Sequence, residues 1–527
     1  MHFIFVLLLT ITTNKAFPCI HPILTRSSSL YLYSASAGAD PIPIPFSPGL
    51  AIKRLSLSPK SESSLPPCST PTPIDTSIPP TVWTHFASLS PKLPGTPLIN
   101  LGQGFPSSPP PQFARDALVA AASSTSSLHQ YTASSGHFPL TKILANRYSV
   151  HFSRPLDRPL VPKDNVCVSV GASQALYIAL QTLLNPGDEV ILFQPFFDLY
   201  VNQIKLAGGT PVFCDALKFD ETSNSWNFDA KTFDTSISPR TKVVILNSPH
   251  NPTGKVFSRL EMSQIATSIA AHEVQRVTVL SDEVYKFIVH SKQGDGDGDG
   301  EGEGDGEGDG GHIHFATIPN MADRTITISS AGKTFSATGW QVGWAVGPAH
   351  LIKNMQALMP YVQFCASTVM QEAVGKAIEE ATKNNYYDQL NSEYREKRDL
   401  LIEALESANG GVPGSVFGYP DYVPGAESSA IGGGGFFLFV KIGEVLKQYI
   451  ANHPDAQYSK NERSVDWTLC EWLIQERGIV AIPGSAFFQP DHENSCDFIR
   501  LAFCKSFDTI KAAKTELSVI GRIVKSK

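Results

Sequence analysis

Short runs of apolar, often β-branched residues alternate with helix-length segments from about residue 112 onward. The predicted strands are Val166–Val170, Glu189–Phe193, Thr210–Phe213, Lys242–Leu246, Val277–Leu280, Thr325–Ser329 and Val342–Val346. Between the first two, apolar residues at helical spacing predict a helix over Ser173–Leu184, which ends at the turn-forming sequence Asn185–Asp188. This alternation favours an α/β fold with a largely parallel sheet that is buried on both faces.

The composition and the hydrophobic pattern change along the chain, and these changes predict four segments. Residues 1–80 are expected to be a presequence followed by a Pro- and Ser-rich linker, and residues 81–111 an N-terminal arm. The alternating region, 112–349, is predicted to be the large domain. Longer helical patterns and the apolar strand Phe436–Val440 predict a smaller α/β domain over 350–527.

The N-terminus has the composition of a targeting signal. Residues 3–9 form an apolar run far shorter than the ~20 residues that span a bilayer. Residues 1–39 contain no Asp or Glu, and a hydroxyl-rich stretch begins at Arg26. A short apolar segment followed by an acid-free, Ser-rich one resembles the bipartite presequence of algae with complex plastids, and Lys15–Pro18 resembles its cleavage context. We therefore expect an organellar protein, with the plastid favoured over mitochondrial import or secretion.

Composition and charge favour some classes of protein and exclude others. A chain of 527 residues with 42% hydrophobic and 17% charged residues suits a globular enzyme of more than one domain. The net charge of −7 comes largely from eight acids in the Gly-rich tract 294–311, and without them the balance is +1. We therefore expect neither a nucleic-acid partner nor a membrane partner.

The acidic tract and the cysteines both lack the residue spacing of a metal site. The acids of the tract occupy only odd positions from 295 to 309, so a calcium loop beginning at any of them would have Gly where it needs its final Glu. The eight cysteines are scattered and form no C-x-x-C pair. The sequence therefore predicts no metal, isolated thiols, and a flexible surface insertion over 294–311.

Chemically useful residues follow four of the predicted strands, where ligands of such sheets bind. They are the small-residue turn Gly171–Gln174, the rigid Asn/Pro turn Asn247–Gly254, the acid–phenol segment Ser281–Tyr285 and the segment Ser330–Ser336, which contains Lys333. Each has a structural alternative: an ordinary strand-to-helix turn, an Asx turn, a helix cap or a solvated lysine. Together they offer an anion cradle, an amide, a carboxylate and an amine, which an aldehyde cofactor with a phosphate and a pyridine ring requires.

With these residues in place, the chain resembles the class I, fold-type I aminotransferases that use pyridoxal 5'-phosphate. It is most similar to the kynurenine, glutamine and methionine aminotransferases, whose relatives also act as cysteine-conjugate β-lyases. The resemblance implies a large cofactor-binding domain with a mostly parallel sheet flanked by helices, plus a smaller C-terminal α/β domain. The segments that carry it are Asn100–Pro106, His129–Ala145, Val168–Tyr177, Asn185–Tyr200, Asn247–Ser258, Ser281–Tyr285, Ile328–Trp344, Gly478–Phe488 and Phe498–Phe503.

The resemblance also implies which residues meet the cofactor ring. Lys333 occupies the position of the family's Schiff-base lysine, whose amine must be neutral to react and which then transfers protons. Asp282 matches the carboxylate that pairs with the pyridine nitrogen. Tyr285 and Asn251 match the donors to the phenolic oxygen, and Phe197 matches the aromatic residue that stacks on the ring.

The phosphate site departs from the family at one position. The backbone of Ala172 and Ser173 and the hydroxyl of Ser330 match the phosphate cradle, and Tyr131 matches a tyrosine contributed by the second subunit of a homodimer. Family members usually carry Arg or Lys where this chain has Gln341. Because a neutral amide brings no charge, we expect weaker retention of the cofactor without loss of the chemistry.

The substrate site is implied in the same way. Arg500 matches the arginine that binds the substrate α-carboxylate in a two-pronged contact, which the Gly104 N–H and the Asn251 amide would complete. Trp83 and Phe364 are expected to form walls of the side-chain pocket, although core packing would explain either residue alone.

Three functions are compatible with these residues. The first is ping-pong transamination between an amino acid (aromatic, glutamine-like, methionine-like or kynurenine) and a 2-oxo acid. The second is a β-lyase that expels a substituent from the β-carbon of the same kind of bound amino acid. The third is a catalytically inactive binding module, which the presence of Lys333, Asp282 and Arg500 disfavours.

Overall fold

A computed structural model describes eight stretches of the chain, all of them after residue 80. They are residues 81–92, 95–125, 127–221, 225–272, 276–290, 311–419, 433–452 and 464–526. The predicted presequence and linker, and all but the last residue of the acidic Gly-rich tract, lie outside these residues.

Helices and strands alternate through the described residues, as the sequence pattern predicts. The helices are α1 Val82–Ser88, α2 Gln112–Ala122, α3 Phe138–His151, α4 Pro162–Asn165, α5 Gly171–Leu183, α6 Leu199–Leu206, α7 Ala230–Ser236, α8 Arg259–Ala271, α9 Ala331–Thr334, α10 Ala349–Val362, α11 Thr368–Lys383, α12 Tyr386–Asn409, α13 Glu444–Ala451, α14 Val465–Arg477 and α15 Phe507–Lys525. The strands are β1 Ile99–Asn100, β2 Val166–Val170, β3 Glu189–Phe193, β4 Thr210–Cys214, β5 Leu217–Asp220, β6 Ser225–Phe228, β7 Thr241–Asn247, β8 Thr278–Asp282, β9 Thr325–Ser330, β10 Val342–Val346, β11 Phe417–Gly418, β12 Phe437–Ile442, β13 Ile479–Val480, β14 Ile482–Pro483 and β15 Phe498–Ala502.

A seven-stranded sheet forms the centre of the fold, with strand order β2-β10-β9-β8-β7-β3-β4. The pairs β9–β8, β8–β7, β7–β3 and β3–β4 are parallel, whereas β10 runs antiparallel to both of its neighbours. Apolar clusters cover both faces of the sheet, which explains why its strands are continuous apolar runs. The predicted α/β fold with a mostly parallel sheet is confirmed.

Three of the seven predicted strands have the predicted bounds, and the others differ only at their ends. The sequence predicts that the strands end just before Asn247 and Ser330 and two residues before Asp282. In the structure each is the last residue of its strand, and Asn247 pairs with Asp282 in the parallel ladder of β7 and β8. Backbone pairing therefore continues past the apolar run and fixes three polar residues at one edge of the sheet.

The C-terminal part of the chain contributes a second, four-stranded sheet in the order β11-β12-β15-β14, whose neighbouring strands are all antiparallel. The N-terminal arm joins this part, because β1 pairs with β13 in parallel. Helix α10, in contrast, packs on the large sheet, where Ile352 and Met355 share an apolar cluster with Val190. A domain boundary at residue 350 stays a prediction.

Among the residues that the structure describes, no helix is both long enough and apolar enough to cross a membrane.

Candidate active site

A cavity of about 410 Å³ lies at the carboxyl ends of β7, β8 and β9. Its walls come from the N-terminal arm, the large sheet and the C-terminal sheet. All predicted site residues line it except Tyr131 and Phe364. The predicted residues that line it are Trp83, Gly104, Ala172, Ser173, Phe197, Asn251, Asp282, Tyr285, Ser330, Lys333, Gln341 and Arg500.

Lys333 projects into this cavity from the single turn of helix α9, which follows β9 directly. Its Nζ donates a hydrogen bond of 2.8 Å to the backbone oxygen of Gly104. Burial, helped by the nearby Arg500 guanidinium, lowers the pKa of Lys333 to about 8, while Cys504 and Asp282 oppose the shift. The amine is therefore far closer to its neutral, nucleophilic form than an exposed lysine would be at the same pH.

Asp282 ends β8 and turns its carboxylate toward the cavity. Its Oδ2 accepts a hydrogen bond of 2.7 Å from the hydroxyl of Tyr200, and its Oδ1 accepts a longer one of 3.4 Å from the backbone N–H of Val284. Burial raises the pKa of Asp282 to about 6, against the effect of the Tyr200 hydrogen bond. The carboxylate is therefore still ionised at neutral pH and able to face a protonated ring nitrogen.

Tyr200 and Asn247 support the site but were not predicted as site residues. Both line the cavity. The Asn247 side chain donates to the backbone oxygen of Asp282 at 2.9 Å and accepts from the backbone N–H of Asn251 at 2.7 Å, so it ties two strand ends together. The sequence held a signal for Asn247, which is the first of the two Asn residues in its turn. Tyr200 offered none, because 82 positions separate it from Asp282.

Arg500 lies on β15 with only 1% of its surface exposed. It donates from Nη1 to Asn251 Oδ1 at 2.9 Å and from Nη2 to the backbone oxygen of Gly102 at 2.7 Å. Burial lowers the pKa of Arg500 to about 10, which leaves it charged at neutral pH. Both acceptors are neutral, and among the described residues its buried Nε has no hydrogen-bond partner. The guanidinium therefore retains capacity for an anionic ligand.

Aromatic residues surround this guanidinium. Its Cζ lies 4.1 Å from the ring centre of Phe437 and 4.9 Å from that of Trp83. Trp83 belongs to helix α1, and its indole N–H donates to Asp198 Oδ2 at 2.7 Å. The hydrogen bond fixes the N-terminal helix against the cavity, and Trp83 lines that cavity; its contact with a substrate side chain stays a prediction.

The start of helix α5 faces the same cavity. Gly171 begins this helix with a positive φ of 72°, and no side chain caps its N-terminus. The next two residues, Ala172 and Ser173, line the cavity together with Ser330. Exposed N–H groups at the positive end of a helix dipole, with serine hydroxyls beside them, form a cradle suited to a phosphate group.

Gln341 borders this cradle in a left-handed conformation, with φ of 51°. Its Nε2 donates to the backbone oxygen of Thr338 at 2.5 Å. Its Oε1 would lie 2.8 Å from a Cβ atom built on Gly171, so the carboxamide is close to the turn that opens helix α5. The position that carries a cation in the resembling family therefore holds a neutral side chain turned back on its own loop.

Tyr131 and Phe364 lie outside the cavity of their own chain. Tyr131 is 81% exposed and Phe364 is 52% exposed, and their rings meet edge to face with centroids 4.7 Å apart. Phe364, predicted as a wall of the side-chain pocket, therefore forms no part of that wall within a single chain. Tyr131 was expected to act in the site of another subunit, which is consistent with its exposure.

The residues present fit a ligand that carries an anionic group, a ring and an aldehyde. The cradle at Ala172 and Ser173 accepts the anion, the ionised Asp282 accepts a ring N–H, and Lys333 supplies an amine with a lowered pKa. Arg500, with its unpartnered Nε, offers a separate place for a second anion such as a carboxylate. The donor set therefore accommodates both a phosphorylated cofactor and a carboxylate substrate.

Comparisons with known proteins identify related sequences. The sequence profile of the family described as aminotransferase class I and II matches residues 96–511. The chain is 36% identical to a kynurenine–oxoglutarate transaminase of Dictyostelium discoideum, over 83% of this chain and 93% of that protein. It is 35% identical to kynurenine–oxoglutarate transaminase 1 of Homo sapiens, over 82% of this chain and 94% of that protein.

The fold is also similar to those of solved structures. The crystal structure of Bna3p, a putative kynurenine aminotransferase of Saccharomyces cerevisiae, matches with a TM-score of 0.70 and 30% identity, over 84% of this chain and 97% of that one. YbdL of Escherichia coli, whose structure and reactivity identify a methionine aminotransferase function, matches with a TM-score of 0.66 and 29% identity, over 85% and 99%.

Proposed function

Because this chain belongs to the aminotransferase class I and II family and is an aminotransferase, we propose that its amino donors are aromatic, glutamine-like or methionine-like amino acids, including kynurenine, and that its acceptors are 2-oxo acids. The names of the relatives, which describe transamination with kynurenine and methionine, support this choice. They do not favour the β-lyase alternative. The single observation that carries transamination as the reaction is that Lys333, Asp282 and Arg500 line one cavity.

Pyridoxal phosphate is the cofactor that this family implies, and several residues would hold it. The backbone N–H groups of Ala172 and Ser173 and the hydroxyl of Ser330 would bind its phosphate, and Gln341 would border that phosphate. When bound, it supplies a carbonyl group that accepts the amino group and a ring that withdraws electrons from the substrate Cα. Phe197 would pack against the ring.

The polar atoms around the ring have separate roles. Asp282, ionised at neutral pH, would hold the ring nitrogen protonated. The buried Tyr285 hydroxyl is a donor that stays protonated, because burial raises the pKa of Tyr285. In Asn251 the side-chain oxygen already accepts from Arg500, so the Nδ2 group is left to donate to the phenolic oxygen.

Arg500 would bind and orient the substrate through its α-carboxylate. A planar guanidinium fixed by Asn251 and Gly102 presents a carboxylate with two donors in a set direction. The surrounding aromatic rings exclude water and strengthen this contact. With the carboxylate held there, the Lys333 amine is the group placed to take the proton from Cα, and its lowered pKa leaves the amine able to accept it.

The test is a panel of amino donors against 2-oxo acids with the purified, cofactor-loaded full chain. We expect kynurenine, other aromatic amino acids, glutamine or methionine to give at most one turnover per active site without a 2-oxo acid and continued turnover when one is present. We expect Lys333→Ala to be inactive. A cysteine S-conjugate assayed without an acceptor is the comparison. If release of pyruvate and ammonia from the conjugate were the faster reaction, the proposal of transamination with these donors would be wrong.

We also propose that the active protein is a homodimer with shared active sites. Besides Tyr131 and Phe364, the side chains of Tyr361 and Phe138 are 88% and 64% exposed. Large exposed aromatic residues of this kind are typical of a covered interface. Tyr131 would then reach the phosphate of the second subunit.

The composition of residues 1–80 supports a final proposal, that this segment directs the protein to an organelle, with the plastid favoured. Fusion of residues 1–80 to a fluorescent protein in an alga with complex plastids tests it. We expect plastid fluorescence, and fluorescence that stays in mitochondria or the secretory pathway would support those alternatives instead.

A further inference from the structure

A second group of reactive side chains lies next to the active site but takes no part in it. Glu283 follows Asp282 directly, yet it does not line the cavity. The side chains of Glu283 and His312 are fully buried, and that of His314 is 4% exposed. Glu283 Oε2 lies 3.2 Å from His312 Nε2 and in closer contact with His314 Nδ1. One carboxylate oxygen therefore faces two imidazole nitrogens in the protein interior.

The far polar atoms of Glu283 and His314 have partners that orient these two side chains. The Ser281 hydroxyl donates to the other carboxylate oxygen of Glu283, Oε1, at 2.7 Å. His151 Nδ1 lies 3.2 Å from the second ring nitrogen of His314, Nε2. This is the arrangement found around bound metals, where outer groups bind the far atoms of the ligands and fix their direction.

The donor atoms of the cluster favour some metal ions over others. Two imidazoles and one carboxylate form a nitrogen and oxygen donor set that suits Zn²⁺ and its first-row neighbours, whereas Ca²⁺ and Mg²⁺ prefer oxygen donors. The Glu283 side chain is fully buried beside these two histidines, and a buried carboxylate gains from a cation next to it.

We propose that Glu283, His312 and His314 form a binding site for a divalent transition-metal ion, with Zn²⁺ as the reference ion. Ligands about 2.0–2.1 Å from zinc in a tetrahedral arrangement are about 3.3 Å apart, which the Glu283–His312 distance already matches. The His314 ring must move outward from Glu283 to reach the same separation. The ion would join the segment that begins after the acidic tract to the end of strand β8.

The experiment uses the purified, cofactor-loaded full chain, dialysed against a chelator and then titrated with Zn²⁺ in excess Ca²⁺. The excess Ca²⁺ competes with Zn²⁺ for weak binding to the acids of the tract 294–311. A cofactor-free sample is the second control, because it shows whether the cofactor itself binds zinc. We expect about one Zn²⁺ per chain with a sub-micromolar Kd in both samples. Co²⁺ should give the intense visible absorption of a tetrahedral site.

Two variants separate the cluster from other histidines. His312→Gln should weaken Zn²⁺ binding at least about 100-fold. The matched control is His350→Gln, which changes an exposed histidine at the start of helix α10 and should bind as the unaltered chain does. If the His312 variant does not fold, the Co²⁺ spectrum of the unaltered chain decides.

Three results would overturn the proposal. The first is that the unaltered chain binds Zn²⁺ no more tightly than exposed carboxylates do. The second is unchanged binding by the His312→Gln variant. The third is a weak, octahedral Co²⁺ spectrum.

Discussion

Two cations share the active-site cavity, and their surroundings give them opposite properties. Lys333 has one hydrogen bond, to a backbone oxygen, and burial moves the pKa of its amine toward neutrality. Arg500 is even more deeply buried, but a guanidinium is so basic that a pKa lowered to about 10 still leaves it charged. One residue can therefore exchange protons near neutral pH while the other holds an anion, and exchange of the two residue types would remove both functions.

The lowered pKa of Lys333 predicts its reactivity. In cofactor-free protein, labelling of Lys333 by an amine-reactive reagent should rise with pH through a midpoint near 8, because only the neutral amine reacts. At pH 7 about a tenth of the Lys333 amines would be neutral. Mass spectrometry gives the labelled fraction at each residue. The exposed Lys376, whose pKa is raised by Glu379, is the internal control. A Lys333 profile that coincided with that of Lys376 would contradict the prediction.

The neutral Gln341 predicts an improvable cofactor site. Replacing it with arginine should tighten pyridoxal phosphate binding about fivefold in phosphate-free buffer, because a charged hydrogen bond contributes about 1 kcal/mol more than a neutral one. Equilibrium dialysis of the cofactor measures the Kd. Gln341→Leu removes the donor at similar size and should bind more weakly than the unaltered chain. If Gln341→Arg bound the cofactor no more tightly than the unaltered chain, an arginine at this position would not reach the phosphate. The expectation that Gln341 weakens cofactor retention would then be wrong.

At the scale of elements, the active site depends on how closely strand β10 approaches the turn before helix α5. Gly343 is the second residue of β10, and a Cβ atom there would come within 2.3 Å of the Gly171 carbonyl carbon and 2.5 Å of the Ala172 nitrogen. No L-residue with a side chain fits there without moving the backbone of the phosphate cradle. The glycine thus couples sheet packing to ligand binding.

Gly343→Ala should therefore destabilise the protein by about 1–3 kcal/mol and weaken binding of the cofactor. Denaturant unfolding and cofactor titration give the two quantities. The control is Gly339→Ala in the preceding turn, where a Cβ would meet nothing within 4 Å. Equal effects of the two substitutions would show that close approach at Gly343 is not the cause.

The elements were predictable because their cause is local, and the side-chain network was not. Apolar runs located every strand of the large sheet, and the residues after them identified Lys333 and Asp282. The hydrogen bonds from Tyr200 to Asp282 and from Trp83 to Asp198 join residues 82 and 115 positions apart. No periodicity encodes such pairs. They exist because the fold brings distant segments to one edge of the sheet.

At the scale of the whole molecule, one chain contains nearly the entire predicted site but leaves two of its residues facing outward. Tyr131 and Phe364 contact each other and are largely exposed, while every other predicted residue lines the cavity. A second copy that covered this aromatic pair would explain its exposure. The same contact would bring Tyr131 to the phosphate cradle of the other copy.

Shared sites predict complementation between two defective chains. Lys333→Ala disables the site of its own chain, whereas Tyr131→Ala would disable the site of the other chain. In a hybrid dimer, isolated with two different affinity tags, both defects then fall in one site and leave the other intact. Such a hybrid should regain about half of the normal activity, although each variant alone has little. If Tyr131 served its own chain, both sites of the hybrid would carry a defect. Absence of recovery in hybrids confirmed as dimers would therefore rule out the exchange of this residue between subunits.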